Sequence, residues 1–81
     1  MDKKIELLEK VKKLLKFAND RNTNQGLKIY EGAIKKIGDA STQEEVYDLV
    51  KKLDHALSGI EAHGHFTSEE YQIVKEIRQM K

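Results

Sequence analysis

Three histidines, two pairs of adjacent carboxylates and four hydroxyls are the side chains whose types and spacing could do chemistry. His63 and His65 flank Gly64, and His55 lies eight residues before His63. Two imidazoles with a carboxylate such as Glu61 or Glu69 would make a partial transition-metal site. A structural zinc centre, however, takes four ligands at recognisable Cys or His spacings. This sequence has no Cys and no HExxH motif. His55 and His63 would share a helical face two turns apart, too far to hold one ion. The simpler role for these histidines is at a helix C-terminus, where an imidazolium is favoured by the helix dipole, or at a partner contact.

The carboxylate pairs Glu44-Glu45 and Glu69-Glu70 and the hydroxyls Ser41, Thr42, Thr67 and Ser68 fall where helices begin. Hydroxyls cap exposed amides there, and acids in the first turn face the positive end of the dipole. No nucleophile elbow, phosphate loop or glycine-rich dinucleotide turn occurs. The sequence therefore predicts a binding protein with neither catalysis nor cofactor.

The elements that position these groups follow from apolar periodicity. Ile5, Leu8, Val11, Leu15 and Ala18 recur at three- and four-residue steps, widened by Leu7 and Leu14, and predict helix 1 over 4–19. Glu6–Lys10 and Glu9–Lys13 are favourable i,i+4 pairs on it. The polar run 19–24 predicts a loop. Leu27, Tyr30, Ile34 and Ile37, with Ile29 and Ala33 beside them, predict helix 2 over 25–38, weakened by Gly26 and Gly32 and capped by Gly38. Helix 3 spans 42–63, with Ser41 or Thr42 as N-cap and Glu44 or Glu45 as capping-box partner. Val46, Leu49, Val50, Leu53, Leu57 and Ile60 form its stripe, and Tyr47 lies beside it, half exposed. Gly59 is a soft point, and Gly64 occupies the C-cap position.

Helix 4 starts at Thr67, with Glu70 as box partner and a Phe66–Tyr71 hydrophobic staple. Tyr71, Val74 and Ile77, with Ile73 and Met80, supply its apolar face. The connection from helix 3 is short enough to force antiparallel packing. The expected fold is an all-α, antiparallel up-down four-helix bundle, with residues 1–81 as one domain.

Composition agrees. The chain has 81 residues, 36% charged and 6% aromatic, with no Pro, an α-helical balance. The net charge is +1, which gives no electrostatic footprint for nucleic acid. A helix-turn-helix over helices 2 to 4 would place Glu69, Glu70 and Glu76 on the reading helix, where Arg, Lys, Asn or Gln are needed. Residues 1–40 hold 10 Lys/Arg against 6 Asp/Glu, and residues 41–81 hold 5 against 8, so the two halves carry +4 and −3. Lys3, Lys4, Lys10, Lys12, Lys13 and Lys16 make helix 1 basic. That face is either solvated or attracted to anionic lipid or an acidic protein surface. No apolar run approaches the roughly 18 residues that span a bilayer, and no secretory signal follows the basic start. A soluble, cytoplasmic protein is expected, as a monomer or weak dimer.

The stretch VYDLVKKLDHALSGIEAHGHFTSEEYQIVKEI combines a long amphipathic helix, a tight turn, an aromatic-Thr start and a final amphipathic helix. Over about residues 45–78 this resembles the immunity proteins of pediocin-like bacteriocins from Gram-positive bacteria. The N-terminal half matches only as two amphipathic helices. The resemblance implies a small cytosolic four-helix bundle that protects a producer cell from its own pore-forming peptide. It would do so by binding, from the cytosolic side, the bacteriocin-bound sugar-uptake permease of the mannose phosphotransferase system. Family members commonly continue past the last helix with a tail that helps set specificity. With the sequence ending at Lys81, the resemblance implies recognition through helix 4 and the turn before it, with His63, His65, Lys75, Arg78 and Lys81 as candidates. The alternative expectation is a small regulatory or antitoxin-like module that neutralises a soluble protein partner, such as a toxin, by helix-face contacts.

Overall fold

The order is four helices: α1 (Lys3–Asp20), α2 (Leu27–Asp39), α3 (Gln43–His63) and α4 (Ser68–Arg78). The computed structural model describes residues 2–20, 26–64 and 66–80, the His63 side chain excepted. Most of the loop predicted over 19–24 lies outside the described residues, but Asn19 and Asp20 belong to α1. The helices form an all-α, antiparallel four-helix bundle. Lys4 of α1 meets the end of α2, Gly26 before α2 lies near Ile60 late in α3, and Lys10 meets Glu76 of α4. The bundle extends 33 Å, close to the roughly 31 Å that the 21 residues of α3 span at 1.5 Å each. α1 packs against all three other helices, whereas among the described residues no Cα atom of α2 lies within 8 Å of one in α4.

Helix starts are set by local chemistry. Asp2 Oδ1 accepts the Lys4 amide at 2.9 Å, and the Asp2 carbonyl accepts the Glu6 amide at 3.0 Å, so α1 has a carboxylate cap that periodicity alone did not identify. At α3, Thr42 is the N-cap and accepts the Glu45 amide at 3.1 Å; Glu45 Oε1 in return accepts the Ser41 amide at 3.3 Å. At α4 the capping box is complete. Thr67 Oγ1 accepts the Glu70 amide at 3.2 Å, and Glu70 Oε1 accepts the Thr67 amide at 2.9 Å.

Glycine does different work from that expected. Gly26 lies before α2, at φ +80°, where a Cβ would sit 3.1 Å from Ile60 Cδ1 and the Tyr30 ring. The left-handed turn and the close approach both require glycine there. Gly38 is within α2, not its cap; Ala40 follows as C-cap. Lys4 Nζ satisfies the freed carbonyls, donating to Gly38 O at 3.1 Å and Ala40 O at 2.9 Å, which puts a cation on the negative end of the dipole. Gly64 ends α3 in an extended conformation.

Leu7, Val11, Leu14 and Ala18 of α1, Tyr30 and Ile37 of α2, Val46, Val50, Leu53, Leu57 and Ile60 of α3, and Ile73, Val74, Ile77 and Met80 around α4 form one buried core. In α1 the buried stripe therefore runs through Leu7 and Leu14, which the sequence reading had treated as flanks. Ile5 is 52% exposed, and Leu8 and Leu15 only edge the core. Because α1 contacts three helices, its buried face is broad, and its centre follows the neighbours rather than the first apolar residue. Tyr71 corrects a second expectation. It is 43% exposed and outside the buried face, while Phe66 packs against the core. The physical reason is phase: at 100° per residue Tyr71 sits on the flank of the face centred on Glu70, Val74 and Ile77.

Candidate functional site

α4 packs against α1 and α3 and keeps an exposed outer face. Its first turn is locked by the capping box, whose Glu70 is 0% exposed. Its last turn is tied to α3 through Arg78. Arg78 Nε donates to Asp54 Oδ1 at 2.8 Å, and Nη2 donates to Glu61 Oε1 at 3.2 Å and Ser58 Oγ at 3.4 Å. The hydrogen bond to Asp54, helped by Glu61 and opposed by partial burial, holds the guanidinium above its already high ordinary pKa. Arg78 is thus a clamp between helices.

On the side toward α1, Lys10 Nζ donates to Glu76 Oε1 at 2.9 Å and also pairs with Glu6 at 3.9 Å. The Lys10 hydrogen bond, and then its charge, lower the Glu76 carboxyl below the ordinary glutamate value. Beyond this pair lies an open groove of about 760 Å³ between the end of α1 and the start of α4. Phe17 and Ile73 supply its apolar base, and Lys13, Lys16, Asp20 and Glu69 give it a rim of both signs. Such a rim suits a polar protein contact rather than a single-sign polymer.

The outward line of α4 carries Tyr71 and Lys75, both exposed. The Lys75 ammonium stands 5.8 Å from the Tyr71 ring centroid, within the range of a cation–π contact. Of the five recognition candidates, the structure places Lys75 on this open face and Arg78 at the α3 seam. His63 is the last residue of α3, but its side chain, like His65 and Lys81, lies outside the described residues. Tyr71 is the residue sequence reasoning missed as a surface group; its helical phase held the signal, overridden by the staple pattern. Tyr47 stands half-buried as expected, with Lys3 Nζ donating to its hydroxyl and lying 4.3 Å from its ring centroid.

The basic face of helix 1 is divided. Lys3, Lys4 and Lys10 are used within the bundle, and Lys12, Lys13 and Lys16 stay exposed. Among the described residues no three His, Asp or Glu side chains converge to hold a metal ion, and no helix is long and apolar enough to cross a membrane. No protein-family model matches the chain, and no curated protein and no solved structure matches it either.

Proposed function

We propose that this chain is an immunity-type protein that acts by occupying a surface: it binds a bacteriocin-bound membrane permease from the cytosolic side through the outer face of α4. The observation that carries the proposal is the exposed Tyr71–Lys75 pair on a helix fixed at both ends. An aromatic with a polar tip loses little conformational freedom on binding and is a common interface anchor. Tyr71 leaves 43% of its surface in solvent. A fixed helix presents such an anchor without an ordering cost at the moment of contact. The four-helix architecture and the short α3–α4 connection are also those the resemblance implies.

The test is protection. The gene is expressed in a bacteriocin-sensitive host, which is challenged with a panel of pediocin-like peptides. The expected result is a raised inhibitory concentration for at least one peptide, lost in Tyr71→Ala and Lys75→Glu variants that melt at the wild-type temperature. Protection by neither the wild type nor its variants, against any peptide, overturns the proposal. Protection indifferent to both substitutions removes α4 from it.

A further inference from the structure

The seam between α2 and α3 is left open. A groove of about 260 Å³ runs along it, with the buried side chains of Ile37 and Leu53 at its base. Gly32, Ala33 and Ala56 line it with side chains too short to close it. Among the described residues nothing lies within 4 Å of the position a Cβ on Gly32 would take, so no contact between them requires glycine there. A glycine inside a helix weakens that helix relative to alanine. At the groove's edge Ile29 is 36% exposed, one of the large apolar side chains left in solvent.

The charge around the groove has one sign. Lys28, Lys36 and Lys52 line it and no carboxylate does. Lys52 pairs with Asp48 at 3.0 Å on the solvent side. Among the described residues Lys28 and Lys36 form no ion pair.

We infer that the α2–α3 groove docks an amphipathic helix of a partner protein, one that brings aliphatic side chains flanked by aspartate or glutamate. A helix presents its side chains as a ridge at i, i+4 and i+7, and the trough between two packed helices is the complement of that ridge. The volume is below the roughly 300–1,000 Å³ of a small-molecule pocket, which fits single aliphatic side chains rather than a free ligand. The lysine rim selects acidic flanks and raises the rate of encounter with them. A lipid surface fits less well, because Ile37 and Leu53 are buried between the lysines and Ile29 is the one large apolar side chain of the lining left exposed to meet a bilayer. The groove does not depend on the α4 reading, since none of its lining residues belongs to α4.

The experiment is a selection, on the full chain at low salt, from a displayed library of helical peptides with one face randomised. The best peptide is then synthesised and titrated against the wild type, Gly32→Leu, and the double variant Lys28→Glu with Lys36→Glu. Far-UV circular dichroism confirms that each variant stays helical. The expected consensus is Leu, Ile, Met or Phe at i, i+4 and i+7 with neighbouring Asp or Glu. Amide shifts should concentrate in residues 28–37 and 49–56. Affinity should fall at least about tenfold in each variant, as for loss of an interface anchor, and weaken with added salt. An empty selection, or peptides indifferent to both variants, overturns the inference. So does binding to phosphatidylglycerol-containing vesicles that the same variants abolish, which assigns the groove to lipid. Dimerisation of the free chain that Gly32→Leu abolishes also overturns it, by assigning the groove to a second copy.

Discussion

The two seams that α3 makes with its neighbours are built on opposite plans. Toward α4, Asp54, Ser58 and Glu61 gather around Arg78, so every helical turn from residue 54 to 61 has a charged or polar partner across the interface. Toward α2, the facing positions are Gly32, Ala33, Leu49 and Ala56 under a rim of lysines, and among the described residues no ion pair crosses between the two helices. The polar seam fixes the register and angle of α4 through directional bonds. The apolar seam is held by the buried layer beneath it and leaves its upper part unfilled. One side of α3 is finished within the chain, and the other has the shape and charge of a half-interface.

The largest expected effect tests whether the open seam is still anchored by its base. Leu53 is buried beneath the groove, and Leu53→Ala should cost about 2–5 kcal/mol, measured by urea unfolding, because the lost side chain leaves a cavity in a shared core. Next comes the contrast between rims. Arg78→Ala should cost about 1–2 kcal/mol, a charged hydrogen-bond loss discounted for partial exposure. Lys36→Ala should move stability by no more than about 0.5 kcal/mol. Equal losses at the two positions would erase the distinction between the seams.

Two glycines at the same helix give a pair of opposite sign. Gly32→Ala should stabilise by about 0.5–1 kcal/mol, since the added methyl meets open space and the unfolded chain loses freedom. Gly26→Ala should destabilise by at least about 1–2 kcal/mol, because φ of +80° disfavours any Cβ and this one would meet Tyr30 and Ile60. Thermal melts of the two variants decide it.

The smallest effect is on pH. Lys10 lowers the Glu76 carboxyl in the folded state, so in the acid range the unfolded chain binds the proton more readily. The stabilisation is therefore present above the ordinary glutamate value and is lost as the pH falls through the lowered one. Urea midpoints should drop on acidification, and Glu76→Gln should flatten part of that drop. The Glu76 side chain is 41% exposed, and added salt should shrink the difference.

The helices that make these seams were readable from residue order. The capping boxes depend on residues three apart in one turn, so Thr67 and Glu70 could be paired without knowing the fold. The stripe of α3 was legible because only one arc of that helix is apolar. α1 was misphased because its apolar residues cover more than half its circumference, and periodicity cannot rank Ile5 against Leu7 when both suit a buried arc. Tyr71 was expected on the apolar face of α4, whereas its angle on the helix leaves it 43% exposed.

The sequence by itself determined four amphipathic helices, the N-caps of α3 and α4 and the short α3–α4 connection, because each depends on bonds and side-chain spacing within a turn or two. The tertiary structure alone decided which arc of α1 is buried, that Lys4 caps α2 and Arg78 clamps α4 to α3, and that glycine and alanine leave a lysine-rimmed groove. The Arg78 and Lys4 contacts join residues 17 to 36 positions apart, and such pairs meet only when the packing of four helices has fixed how each one is turned.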